Sequence, residues 1–364
     1  MNSREALVAL NLIPDVGPIL VRNLLERFGN AEAVLRARRG ELQKVERVGP
    51  RVAAAITGWE KSVDLPGELR RVREFECRLV TQEDEEYPPL LREIYDPPVV
   101  LYVRGELAGR DRHGVAMVGT RMATQYGRAM AKRLAGELAR AGLTVISGGA
   151  RGIDTEAHEG ALAAGGRTVV VLGTGMDVVY PAENGELFER IAGSGAVVTQ
   201  FPFGRRGDKQ SFPIRNRIVA GMARATVVVE ANRASGALIT ANFAGEYGRA
   251  VFAVPGRMDA PRSAGCHDLI RDGAQLCGEA DHVLEEFDQL FVSTQSEVIE
   301  ERPMPDLSAA EAAIYETLTH EERAFDEIVR ETGLPVSQVN VGLLQLELKR
   351  LARQLPGRLF VRNR

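Results

Sequence analysis

The chain has 364 residues, too many for one ordinary core, so two or three domains are expected. Its hydrophobic share of 45% and charged share of 26% are those of a globular protein, and no apolar run approaches the roughly 20 residues of a membrane span. A net charge of −4 excludes a protein that is basic over its whole surface, and three cysteines (Cys77, Cys266, Cys277) exclude a disulfide framework and fit a reducing cytoplasm.

From Ser3 to about Gly58 apolar residues recur at helical spacing, interrupted by Val16-Gly17-Pro18 and Val48-Gly49-Pro50. Glycine followed by proline ends one helix and opens the next. The segment reads as an all-α, helix-hairpin-helix domain over residues 1–75, with Trp59 packing its interior.

Residues 76–290 change to short β-branched runs alternating with amphipathic stretches, the pattern of a Rossmann-like α/β core with a parallel sheet. Strands are predicted at Val115–Val118, Thr144–Ile146, Thr168–Leu172, Ala196–Thr199, Thr226–Val229 and Val251–Val254. Helices are predicted at Gln125–Ala141, Thr155–Ala164, Gly185–Ala192, Asn216–Ala223 and Ala237–Gly245. A polar stretch over 291–305 reads as a linker. Residues 306–364 then offer three helices and a hairpin around Pro356-Gly357, the layout of a winged helix. Its would-be recognition helix carries Ser337, Gln338 and Asn340 but few cations before Lys349, so either its arginine-bearing hairpin contacts DNA or the domain meets a protein.

In an open α/β sheet, ligands bind beyond the carboxyl ends of the strands. The first three predicted strands run into Gly119-Thr120-Arg121, into Ser147-Gly148-Gly149-Ala150-Arg151-Gly152 and into Gly173-Thr174-Gly175. Glycine turns let backbone N–H groups approach an anion, and helix N-termini add positive potential. The first turn lacks G-x-G-x-x-G, no acid ends the second strand, and no Walker loop is present, so dinucleotide and ATP sites are not expected. No cofactor is expected.

Positive charge is local. Arg205, Arg206, Lys209, Arg215 and Arg217 face one acid, Asp208, around Phe212. Cations that track a backbone beside an aromatic face suit an unpaired nucleic-acid strand.

At this point the ordered motifs resemble the DprA/Smf family. They are Ser147 through His158, Gly173 through Asn184, Phe212 through Arg217, Ser235 through Ala241, and Val254-Pro255-Gly256, spanning about Glu85 to Phe287. The resemblance implies a homodimeric, sequence-independent single-stranded-DNA-binding protein with no catalytic residues. It would bind double strands more weakly, load RecA recombinase onto strands coated by single-strand-binding protein, and protect incoming DNA in natural transformation. By motif, Gly119 and Arg121 would meet a phosphate, Gly148 and Gly149 would offer backbone donors, and Lys209 would hold the strand. Phe212 would stack a base, while Arg215, Asn216 and Arg217 would line the pocket. His267, Ile270 and Leu276 would lie on the dimer surface.

Competing readings attach to a few residues. Cys266, His267, Cys277 and His282 fit no zinc spacing, so no metal is expected. Asp154 reads as a helix N-cap and His158 as its packed neighbour. Tyr180-Pro181 and Phe201-Pro202 read as rigid turns. Gly17 and Gly49 would either expose amides to DNA or only pack. The alternative function is a nucleotide-binding hydrolase of the lysine-decarboxylase-like family, yet Ser235 through Thr240 is followed by Ala241 and Asn242 where that family places an acid. A protein-interaction scaffold would suit the acidic net charge.

Overall fold

The computed structural model describes residues 1–294, 307–319, 323–349, 351–355 and 358–362. They fall into two units, Met1–Phe291 and Val292–Arg364.

The first unit opens with helices α1 (Ser3–Leu12), α2 (Pro18–Phe28), α3 (Ala31–Arg36), α4 (Arg39–Leu42), α5 (Pro50–Thr57), α6 (Trp59–Ser62) and α7 (Leu65–Glu74). Gly17 and Gly49 are the N-caps of α2 and α5, each followed by proline at the first helical position. The two turns are built alike. Two residues before each glycine, Asp15 and Arg47 take positive φ values of 64° and 67°. Arg51 at the second turn bridges to Asp15 at the first, 3.0 Å away.

There follow β1 (Arg78–Thr81), α8 (Pro89–Arg92), β2 (Val100–Gly105), β3 (Gly114–Val118), α9 (Gln125–Arg140), β4 (Thr144–Ser147), α10 (Ile153–Ala163), β5 (Thr168–Val171) and α11 (Gly185–Ser194). The unit is completed by β6 (Ala196–Thr199), α12 (Ser211–Met222), β7 (Ala225–Val228), α13 (Ala237–Glu246), β8 (Ala250–Ala253), α14 (Ala264–Arg271), β9 (Gln275–Leu276) and α15 (Asp281–Thr294). All six expected strands form, each within one residue of its predicted ends.

The sheet order is β1-β2-β6-β5-β4-β3-β7-β8-β9. From β3 to β9 the pairs within the core are parallel, but β1 pairs antiparallel with β2, and β2 antiparallel with β6. The parallel core expected of the six predicted strands is present, and β1 and β2 extend it into a mixed sheet. No amphipathic helix follows β1 or β2 in the β–α rhythm, so the alternation that reveals the other strands is missing there. Helix α12 also begins at Ser211, not at Asn216. Pro213 sits in its first turn, where a missing N–H leaves no hydrogen bond unmade.

The helical segment does not stand apart. Leu10, Leu24, Val34 and Ile56 share one buried cluster with Tyr102 of β2, Val170 of β5, Val197 of β6 and Phe203. Two further clusters cover the remainder of the sheet, one with Ile218 and Val219 of α12, the other with Leu134 and Leu138 of α9.

The second unit contains α16 (Ala309–Thr317), β10 (Arg323–Ala324), α17 (Phe325–Thr332), α18 (Val336–Leu348), β11 (Ala352–Leu355) and β12 (Leu359–Arg362), with strand order β10-β12-β11. Ile314, Ile328, Val339, Leu343 and Phe360 form its core. This is a winged helix. The expected linker overlaps the end of α15 and otherwise lies outside the described residues, as does the Pro356-Gly357 turn.

A candidate nucleic-acid interface at the switch point of the sheet

From β3 the chain lays down β4, β5 and β6 in one direction, then crosses back to place β7, β8 and β9 on the other side. The carboxyl ends of β3 and β7 therefore diverge into loops that leave a crevice between them. A cleft of about 360 Å³ lies there, walled by Gly119–Met122, Gly148, Ala150, the first turns of α12, the loop after β7 from Asn232 to Gly236 and the first turn of α13.

The helix N-termini around this cleft are already supplied with carboxylates by the protein itself. Glu230, just past β7, accepts the Thr124 N–H at 2.9 Å and so occupies the anion position at the start of α9. Asp208 accepts the N–H groups of Gln210 (2.9 Å) and Ser211 (2.7 Å) at the start of α12. Asp154, in the first turn of α10, reaches back to the loop after β4, where it accepts the Ala150 N–H at 3.3 Å and faces the Gly148 N–H. Asp154 is thus not the N-cap the sequence suggested. Gly152, at φ 80°, is the cap, and Asp154 lies in the first helical turn as part of the cleft wall. Burial raises its carboxyl pKa, opposed by the positive charge of Arg215.

The two glycines of this turn also have local packing roles. The Gly148 amide is turned towards Asp154, and Gly149, at φ 67°, serves the turn behind the cleft, its carbonyl accepting from Asn184 Nδ2 at 2.9 Å. Gly148 is required for another reason. Its bare Cα leaves the space that the Arg215 guanidinium fills.

Arg215 is only 4% exposed and donates through Nη1 to the Val171 carbonyl at 2.7 Å. Burial lowers its pKa to about 10 while Asp154 opposes the shift, so it stays charged at neutral pH. Asn216 lines the same cleft and donates to the Gly236 carbonyl at 3.2 Å. Phe212, half-buried, lies against Gly173, where an added Cβ would come within 2.7 Å of its ring. The guanidinium of Arg121 stands over that ring, 4.8 Å from its centroid.

Arg217 is a correction. Two positions beyond Arg215 on a helix, it leaves from the opposite face. It donates to the Asp96 carbonyl and to Gln200 Oε1 (2.5 Å), and pairs with the Asp96 carboxylate at 3.3 Å, away from the cleft. Lys209 lies outside the cleft lining, exposed in the loop before α12, and among the described residues makes no ion pair. Asn232 and Ala234 line the cleft and Glu230 sits at the start of α9, and the sequence reading missed all three. An acid closing the apolar run Val227-Val228-Val229 was the available signal.

His158 is fully buried, bonded through Nδ1 to Thr168 Oγ1 at 2.7 Å, as a packed residue would be. The three cysteines are free and buried, and burial pushes the thiols of Cys266 and Cys277 up to about 11. Among the described residues no cluster of metal-ligating side chains occurs, and no helix is long and apolar enough to cross a membrane. His267 Nε2 lies 3.0 Å from the Gly256 carbonyl, Ile270 is half-buried, and Leu276 is 49% exposed on the edge strand β9.

A family model for DNA recombination-mediator protein A matches residues 78–288, over half of the chain. The chain belongs to that family. Models for the DprA winged helix domain and for the helix-hairpin-helix motif match residues 299–358 and 6–64. The chain is 35% identical to protein Smf of Synechocystis over the whole of both chains. It is 43% identical to DNA processing protein DprA of Streptococcus pneumoniae over 205 residues, 56% of this chain and 72% of that one. The X-ray structure of the pneumococcal protein superposes with a TM-score of 0.69 at 34% identity, covering 78% of this chain and 98% of that one. DNA processing protein A from Helicobacter pylori, whose structure addresses a single-stranded-DNA binding mode, superposes at 0.50 and 29% identity over 60% of this chain and 96% of its own.

Proposed function

We propose that this cleft grips single-stranded DNA without reading its sequence, and that the chain acts in DNA processing during recombination and natural transformation. The observation that carries the reading is the convergence of Arg121, Arg215, Asn216 and Phe212 on one crevice whose helix ends already hold the protein's own carboxylates. With those compact anion seats filled, long cationic side chains and an aromatic ring are left to make the contacts. That equipment suits a flexible polyanion carrying unpaired bases better than a free nucleotide. The single-stranded-DNA binding mode of the Helicobacter pylori relative supports it.

In this reading Arg121 swings from Phe212 to a phosphate, a base takes its place over the ring, and Lys209 holds the strand outside the cleft. The buried Arg215 supplies fixed positive potential, and Gly119 lets the first loop approach. Double strands bind more weakly because paired bases present no free face. The finer steps belong to the proposal as well. The chain would pass its strand to RecA recombinase in exchange for single-strand-binding protein, in the cytoplasm, with no chemistry of its own. It would pair as a homodimer through His267, Ile270 and Leu276, a reading favoured by the open edge at β9.

A salt series of anisotropy titrations with single- and double-stranded oligonucleotides of equal length tests the core of the proposal. Tight, sequence-tolerant binding of the single strand is expected. Absence of binding at moderate salt overturns it.

A further inference from the structure

We infer that Tyr180 is a second stacking platform beside Phe212, so that the site receives two neighbouring unpaired bases. This rests on the single-strand reading and adds a residue to which the sequence assigned only a turn. Tyr87 and Tyr102 are fully buried, whereas Tyr180 is 41% exposed. Its ring meets that of Phe212 at 5.4 Å between centroids and 41° between planes, which places it at the margin of the cleft that Phe212 lines.

The two rings differ in accessibility. Phe212 is hemmed in by Gly173 and Gly207, each leaving room only because it lacks a Cβ, and it carries the Arg121 guanidinium. Tyr180, at 41% exposure, is the more open of the two. The loop bearing it is nevertheless held at both ends. Thr174 Oγ1 donates to the Val178 carbonyl at 2.7 Å, and Asn184 Nδ2 donates to the Gly149 carbonyl and to Thr155 Oγ1, both at 2.9 Å. An aromatic ring fixed in place before binding loses little freedom when a base settles on it.

The geometry also selects the form of the nucleic acid. Bases in a duplex stack about 3.4 Å apart along each strand. Rings 5.4 Å apart and tilted by 41° instead fit neighbouring bases splayed from one another, which a single strand permits and a duplex does not.

The test uses the full chain and oligo-dT, with anisotropy read at several salt concentrations for the wild type, Tyr180→Ala, Tyr180→Phe and Lys209→Ala. Tyr180→Ala should weaken binding by about five-fold or more without changing the salt slope, because stacking releases no counterions. Tyr180→Phe should keep wild-type affinity, and Lys209→Ala should flatten the slope. An oligonucleotide made of abasic sites separates stacking from a general disturbance of the loop. The loss caused by Tyr180→Ala should vanish on the abasic strand, whereas a structural defect would persist there. If the wild type binds and Lys209→Ala flattens the slope, but Tyr180→Ala binds oligo-dT like the wild type or weakens both strands equally, this inference fails alone. If the wild type does not bind, the single-strand reading falls and this inference with it.

Discussion

The guanidinium of Arg215 occupies the space that a side chain on Gly148 would need, so the first glycine of the β4 turn and the buried cation of α12 are two halves of one packing arrangement. Arg215 holds its place through one hydrogen bond to the Val171 carbonyl and the field of Asp154. Gly148→Ala should push the guanidinium off that carbonyl and leave a buried charge without its partner. We expect a loss of about 2–4 kcal/mol of stability, read by chemical denaturation. An unchanged unfolding midpoint would show that Arg215 has another resting place.

Arg121 and Lys209 should contribute through phosphate contacts and Phe212 through stacking. Removing either cation should lower affinity for all single strands alike and reduce the slope of log affinity against log salt by about one. Phe212→Ala should weaken binding while preserving the slope. Equal changes in slope for Phe212→Ala and Lys209→Ala would contradict this division of labour.

Arg217 offers a contrast with its neighbour two residues before. Its hydrogen bonds to the Asp96 carbonyl and Gln200 tie α12 to the segment before β2 and to the residue that follows β6, outside the cleft lining. Arg217→Ala should cost about 2–4 kcal/mol of stability, since it strips the partner from the half-buried Asp96. Below its melting temperature the variant should retain both affinity and salt slope. A flattened slope at full folding would return Arg217 to the DNA site.

Burial holds the His158 imidazole neutral, with a pKa lowered to about 3, and the charge of Arg215 adds to the effect. An unfolded histidine titrates near 6.5, so between about pH 6.5 and 3 the unfolded chain binds the extra proton. Stability should therefore fall as the pH drops through that window, by up to about 1.4 kcal/mol per pH unit. Asp154, whose folded pKa is raised, works with the opposite sign, which makes the difference between wild type and His158→Leu the informative quantity. Urea denaturation from pH 7 to 4 should show a shallower decline for His158→Leu. Parallel curves would mean that His158 is protonated within the fold.

Much of this architecture was legible in the order of residues. Runs such as Thr168-Val169-Val170-Val171 have one conformational preference and one way to be buried, so all six core strands appear where their β-branched clusters stand. The onset of α12 was hidden by Pro213, because a proline breaks a helix interior but not a first turn, and which of these it occupies depends on where the chain enters. Strand β1 is joined to β2 through only the four-residue α8, and β2 pairs with β6 across a long separation, so only the assembled sheet reveals them.

The sequence alone determined the strand-and-helix rhythm, the glycine turns at the strand ends and the local concentration of cations, because each depends on backbone preference or composition within a few residues. Only the tertiary structure decided which cations share the cleft. A helical step of two residues sends Arg215 and Arg217 to opposite faces, and only folding shows which face meets the crevice. It also decided that Glu230 and Asp208 fill helix ends and that Asp154 takes the loop amides before α10, since Glu230 reaches the start of α9 only after β7 has been placed beside β3.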